Sequence, residues 1–402
     1  MHSATDSSAT PGPGPDLDRP LALRRLVYLP EADEVTIGSP ETDTYAVFPA
    51  DGAELVRMLA EGRTPREAAA QYEDAHGESV DIADLIDVLV DLELVRPAGE
   101  STAAGPTAPV RWQRLGRLVF APPALAGYAL ITALAVAEMI RVPALVPRVD
   151  NLFFSSSYTL VVLMLFVGQL PLLALHEAFH ALAGRRLGLR SRLSVGRRLV
   201  YLVLETSLDG LVGVPRRKRY LPIMAGMLAD TLVIAVLTLV ADATRSGSPL
   251  TAELCLAMAY ATALRLAWQG FFYLRTDLYV LLSTVLGCVD LHAAATDVLR
   301  NAARRATGRP PLDLSAHHPV DRRVARWYAW LMLVGYAFTL TMFAGVVVPT
   351  AYRMLHDMWL RLTGQASLAG RLDSLALMLL SLAQTTAVIV LAARERRAAR
   401  AT

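Results

Sequence analysis

The sequence is poor in cysteine, nearly balanced in charge and, over one long stretch, free of charge altogether. Its 402 residues include two cysteines, Cys255 and Cys288, both in or beside apolar segments. Two such thiols exclude a disulfide framework and a cysteine metal centre, and buried free thiols are expected. The formal net charge of +2 offers no broad cationic face, so no nucleic-acid partner is expected. No basic region followed by an apolar run opens the chain, so no cleavable signal peptide is visible and membrane insertion is assigned to internal segments. Between Tyr158 and Leu175 there is no charged side chain.

What is present is apolar. Hydrophobic residues make up 54% of the chain and are concentrated after about residue 118. That composition predicts an α-helical polytopic membrane protein with about six transmembrane helices; the order of strands and helices expected before them outlines a small α+β winged-helix-like soluble domain. The expected spans are Leu118 to Ile140, Tyr158 to Leu182, Tyr220 to Ala241, Leu254 to Leu274, Trp327 to Val348 and Leu375 to Ala393. Arginine clusters border them: Arg111, Arg114 and Arg117; Arg185 to Arg198; Arg216 to Arg219; Arg300 to Arg323; and Arg394 to Arg397. Placing every cluster on the cytoplasmic side gives a multi-pass cell-membrane protein with both termini cytoplasmic, the arginines meeting lipid headgroups.

The predicted organisation is a disordered tail over residues 1–20, a soluble domain over 21–98, a linker over 99–117, a membrane core over 118–290, and a cytoplasmic loop with two further spans over 291–402. Within 21–98, alternation around Leu26 to Leu29, Glu34 to Ile37 and Thr44 to Phe48 predicts strands. Helices are predicted over Gly52 to Ala60, from Thr64 (Pro65 at the first helical position, Glu67 completing a capping box) and over Asp81 to Leu92, with a closing strand at Leu94 and Val95. With Tyr45, the Gly52 to Leu59 helix, GRTPREAA from Gly62 and DIADLIDVLVDLELV from Asp81, this stretch resembles the PqqD-like domains. The resemblance implies binding of a precursor-peptide leader, alongside peptide-modifying enzymes of the same pathway. A structural or regulatory cap is the other reading of the domain; DNA binding is disfavoured by its acidity between Asp51 and Glu100.

The chemistry-bearing stretch is LPLLALHEAFHALAG, Leu170 to Gly184. On a helix, His176 and His180 share one face and can reach one metal ion, with Glu177 beside them as a base towards water. Two imidazoles and a carboxylate at membrane depth are costly without a role. The motif lies near the cytoplasmic end of its span, so a third ligand must come from similar depth. Asp277, in FFYLRTDLYVLL, meets that condition; an interfacial ion pair with Arg275 is its alternative. Two imidazoles, one carboxylate and an open position form a catalytic Zn2+ arrangement.

HEAFH together with Asp277 resembles the site-2 protease family of intramembrane zinc metalloproteases, over roughly residues 155–290. The resemblance implies His176, His180 and Asp277 as zinc ligands and Glu177 as catalytic base. Leu278 replaces the glycine of the family's Leu-Asp-Gly motif, and the Asn-Pro pair before it is absent. AGMLAD, with Gly226 and Ala229 permitting close packing, resembles the family's Gly-x-x-x-Asn element, with Asp230 in place of Asn.

Arg265 and Gln269, one turn apart, are candidates with Asp230 for substrate or oxyanion contacts; a structural pairing with Asp230 or Glu138 is the other reading. His317 and His318 are expected in a solvated loop, and Leu199 to Thr206 is expected as a strand partnered by Leu211 to Val214. The function expected is intramembrane hydrolysis of a peptide bond near the cytoplasmic face, removing the leader of a ribosomally synthesised, modified precursor. The alternatives are regulatory cleavage of a membrane protein such as an anti-sigma factor, and a non-catalytic docking, export or immunity protein.

Overall fold

The computed structural model describes residues 16–31, 34–97, 110–198, 201–364 and 367–398. Most of the expected tail and the linker stretch Glu100 to Pro109 therefore lie outside the described residues. The chain divides into two compact units, Met1–Val110 with Leu208–Lys218, and Arg111–Ser207 with Arg219–Thr402.

In the first unit, strands β1 (Val27–Glu31), β2 (Glu34–Ser39) and β3 (Thr44–Pro49) form an antiparallel sheet in that order, with Tyr28 opposite Ile37 and Ile37 opposite Ala46. Helices α1 (Ala50–Ala60), α2 (Pro65–His76) and α3 (Ile82–Asp91) follow. The α2 capping box forms as the sequence predicts: Glu67 N–H donates to the Thr64 hydroxyl at 3.2 Å, and Thr64 N–H to the Glu67 carboxylate at 3.0 Å. Gly77, at φ +74°, ends the helix. Ile37, Val56, Leu59, Ile86, Leu89 and Leu94 are buried together, with α1 packed on β2 and β3 and α2 packed on both α1 and α3. The closing strand expected at Leu94 and Val95 is reduced to one bridge, Leu23 to Val95. Pro97, lacking an N–H, limits its extension. This unit also holds Leu208–Lys218, where Gly210 N–H donates to Asp43 at 2.5 Å and Arg216 pairs with Glu31.

The second unit is helical: α4 (Gln113–Val119), α5 (Pro122–Arg141), α6 (Tyr158–Arg186), α7 (Arg216–Thr244), α8 (Pro249–Trp268), α9 (Asp277–Leu286), α10 (Leu291–Ala306), α11 (Pro319–Met342), α12 (Val348–Thr363) and α13 (Leu368–Ala398). Among the described residues, five helical stretches are long and apolar enough to cross a membrane: α5, α6, α7, α8, and α11 continued through a π-helical turn into α12. The bent pair α9 and α10 would make a sixth if counted as one span, while the last expected span lies within α13.

Several boundaries differ from expectation for local reasons. The first span does not begin at Leu118, because Pro122 and Pro123 cannot continue a helix and instead start α5. The separate α4 lies on α6, so close that a Cβ on Gly116 would be 2.4 Å from the Leu182 carbonyl oxygen. The fourth span stops at Trp268, not Leu274. Arg275 adopts a left-handed φ of +53°, and Asp277 begins a new helix. Part of the expected cytoplasmic loop is α10, whose Leu291, Ala294 and Ala295 pack with Tyr328, Ala329 and Met332 of α11. A two-stranded sheet joins β4 (Arg190–Arg198) to β5 (Tyr201–Asp209). The partner of β5 is thus β4; Leu211 to Val214 is turn, and Leu199 lies outside the described residues.

Candidate metal centre

The site begins on α6. His176, Glu177 and His180 are buried, and helical spacing brings the imidazole centroids within 4.9 Å. Each Nδ1 has an acceptor on α7: His176 donates to Asp230 Oδ2 at 3.0 Å, and His180 to the Pro222 carbonyl at 2.8 Å. A carbonyl and a carboxylate carry no proton to offer, so these bonds place a proton on each Nδ1. In the neutral rings each Nε2 is then a lone pair, and the two face one another at 3.2 Å.

Asp277 completes a triangle. Its Oδ2 lies 3.5 Å from His176 Nε2 and 3.3 Å from His180 Nε2. Gln269, at the end of α8, fixes it twice: its amide nitrogen donates to Asp277 Oδ2 at 3.1 Å and its amide oxygen accepts from Asp277 N–H at 3.0 Å. The Thr276 hydroxyl donates to the Gln269 carbonyl at 2.7 Å, pinning the turn between the helices. Arg275 reaches Asp290 at 3.7 Å, and Asp277 is turned to the histidines.

Three acceptor atoms held at 3.2, 3.3 and 3.5 Å repel one another unless a positive charge sits among them. A tetrahedral ion with bonds of about 2.0–2.1 Å spaces its donors about 3.3–3.4 Å apart, and the observed triangle has that size. Among the described residues, His176, His180 and Asp277 are the group that could hold a metal ion.

Helix α7 serves as the backing plate. Pro222, Gly226 and Asp230 follow at i, i+4 and i+8 and share one face. The outer two accept from the imidazoles, and between them a Cβ on Gly226 would lie 2.3 Å from Nε2 of both rings. Only a residue without a side chain lets α7 approach so closely. Asp230, fully buried, also accepts from Arg265 Nε at 3.1 Å and Nη2 at 2.5 Å, and Arg265 Nη1 donates to Gln169 at 2.8 Å.

The candidates proposed for substrate or oxyanion contacts thus have partners within the protein. Asp230 and Arg265 meet behind His176, and Gln269 holds Asp277. Glu138 pairs with Arg141 at 2.5 Å, not with Arg265. Away from the site, His317 is paired with Asp297 at 3.0 Å and is not simply solvated, while His318 caps α11 by accepting from Val320 N–H at 3.4 Å. Sequence reasoning missed Pro222 and Gln169. The 222, 226, 230 spacing was the available signal for Pro222. Compared with protein-family models, curated proteins and solved structures, the chain matches none.

Proposed function

We propose that this chain is a zinc-dependent intramembrane peptidase of the site-2 type, embedded in the cell membrane by six spans with both termini cytoplasmic. The observation that carries the reading is the near-equilateral triangle of His176 Nε2, His180 Nε2 and Asp277 Oδ2, with the buried Glu177 following His176 on the same helix. Bound zinc supplies Lewis-acid chemistry: it polarises a carbonyl and brings the pKa of water to about 7. His176, His180 and Asp277 would hold the ion. Glu177 takes a proton from the attacking water and delivers it to the amine nitrogen as the C–N bond breaks, so the water oxygen ends on the new carboxylate.

Strand β5 offers a way to present the substrate. The Thr206 hydroxyl donates to the Glu177 backbone carbonyl at 3.2 Å, fastening the strand to the helix that carries the base. An extended peptide added to such a strand exposes its backbone for cleavage. The N-terminal unit, read as a winged-helix-like PqqD-like domain, would tether a precursor's leader and raise its concentration at the site. Incubating reconstituted protein with a short candidate precursor peptide, chosen as one whose gene neighbours that of this chain, tests this. Wild type should release the leader, and Glu177→Gln should keep its metal while turnover falls by roughly 100-fold or more. Equal cleavage by both would remove Glu177 from the chemistry.

A further inference from the structure

We infer that Asp230 and Arg265 act as one positioning unit for His176, with the arginine present to make a carboxylate tenable at 230; this rests on the metal-site reading above. A carboxylate inside an apolar bundle is costly unless its charge is met. Asp230 has no exposed surface, and Arg265 grips it side-on through Nε and Nη2. The remaining guanidinium nitrogen, Nη1, is held by Gln169 Oε1 at 2.8 Å. The Gln169 amide nitrogen in turn donates to the Met258 carbonyl at 3.2 Å and lies 3.4 Å from the Thr262 hydroxyl.

The path closes on itself. Gln169 and His176 stand two turns apart on α6, Asp230 is on α7, and Arg265 is on α8, so three helices are tied together. With both ends of the guanidinium committed, the Asp230 carboxylate has one orientation, and Oδ2 receives Arg265 Nε and His176 Nδ1 together. That directs the Nδ1–H bond and aims Nε2 at Asp277 and His180. Such an outer carboxylate also raises the donor strength of the ring it holds. His180 has only a backbone carbonyl behind it, so the two imidazoles are supported unequally. The residues at 230 and 265 are therefore coupled: replacing either one leaves the other without its counter-charge, whereas two neutral amides could keep the hydrogen-bond path.

The test uses full-length protein in detergent and Co2+ as probe, reading affinity by chelator competition and geometry by the visible absorption bands. Asp230→Asn and Arg265→Gln should each weaken binding roughly 10- to 100-fold and shift the bands. The double variant should recover most of the loss and the wild-type bands. Single variants that bind as wild type with unchanged bands, or losses that simply multiply in the double variant, overturn the inference while leaving the metal site standing. If a single variant does not fold, the double variant decides: wild-type bands support the unit, and a loss as large as that of His176→Ala overturns it. Wild type that takes up no Co2+ overturns the metal reading and this inference with it.

Discussion

The two ends of α6 are equally rich in polar groups and differ in how those groups are satisfied. At the start of the helix, the Ser157 hydroxyl and the backbone N–H groups of Tyr158 and Thr159 donate to the Asp373 carboxylate at 2.6, 2.9 and 3.2 Å. The Tyr158 hydroxyl donates to Asp357 at 2.5 Å, and Arg361 lies over the Tyr158 ring while donating to Asp373 at 3.4 Å. Donors meet acceptors, so that end is a lock between α6, α12 and α13. At the other end, both Nδ1 protons point outward to α7, and three acceptors are left pointing at each other. Both ends gather titratable residues from several helices, so their presence alone does not tell the two apart. The balance of donors and acceptors separates a structural clamp from a place that needs a cation.

Substitutions can sharpen that contrast. The largest effect is expected from Gly226→Val, whose side chain would occupy the space of the two Nε2 atoms. Metal affinity should fall by roughly 100-fold or more, on the scale of losing a supporting group of a metal site, while helical content measured by circular dichroism is retained. Full metal occupancy in this variant would contradict the close approach of α7. Next comes Asp373→Asn, which removes the charge that Ser157, two N–H groups and Arg361 share. A loss of about 2 kcal/mol is expected, seen as a lower thermal midpoint in detergent with metal stoichiometry unchanged. A change in stoichiometry would mean that the two ends are not separable. Smallest is Tyr158→Phe, which deletes one donor to Asp357; about 1 kcal/mol is the scale of such a bond, again without effect on metal.

The parts legible in sequence were those written in local periodicity or in a spacing rule. HEAFH fixed two donors and a neighbouring carboxylate by helix geometry alone, and the α2 capping box and the sheet of the first unit were readable from residues 27–67. Asp277 could be placed by depth, but its orientation depends on Gln269, Thr276 and the left-handed Arg275, a turn that no hydrophobic pattern announces. Arg265 and Gln269, too polar to face lipid, and Asp230, in place of the Asn of a Gly-x-x-x-Asn element, were legible as candidates. Whether they met substrate or each other depended on which helices pack together, and apolar spans have no preferred partner that hydropathy can reveal. The sequence reading ends the fifth span at Val348, whereas the helix continues through α12, where Asp357 and Arg361 are partners of Tyr158 and Asp373.

The most direct test of the central claim is the metal content of detergent-purified wild type and His180→Ala, measured by mass spectrometry after dialysis. The account predicts about one zinc per wild-type chain and none in the variant. A folded wild type without metal, or a variant that keeps it, would contradict the claim that His176, His180 and Asp277 converge to hold an ion.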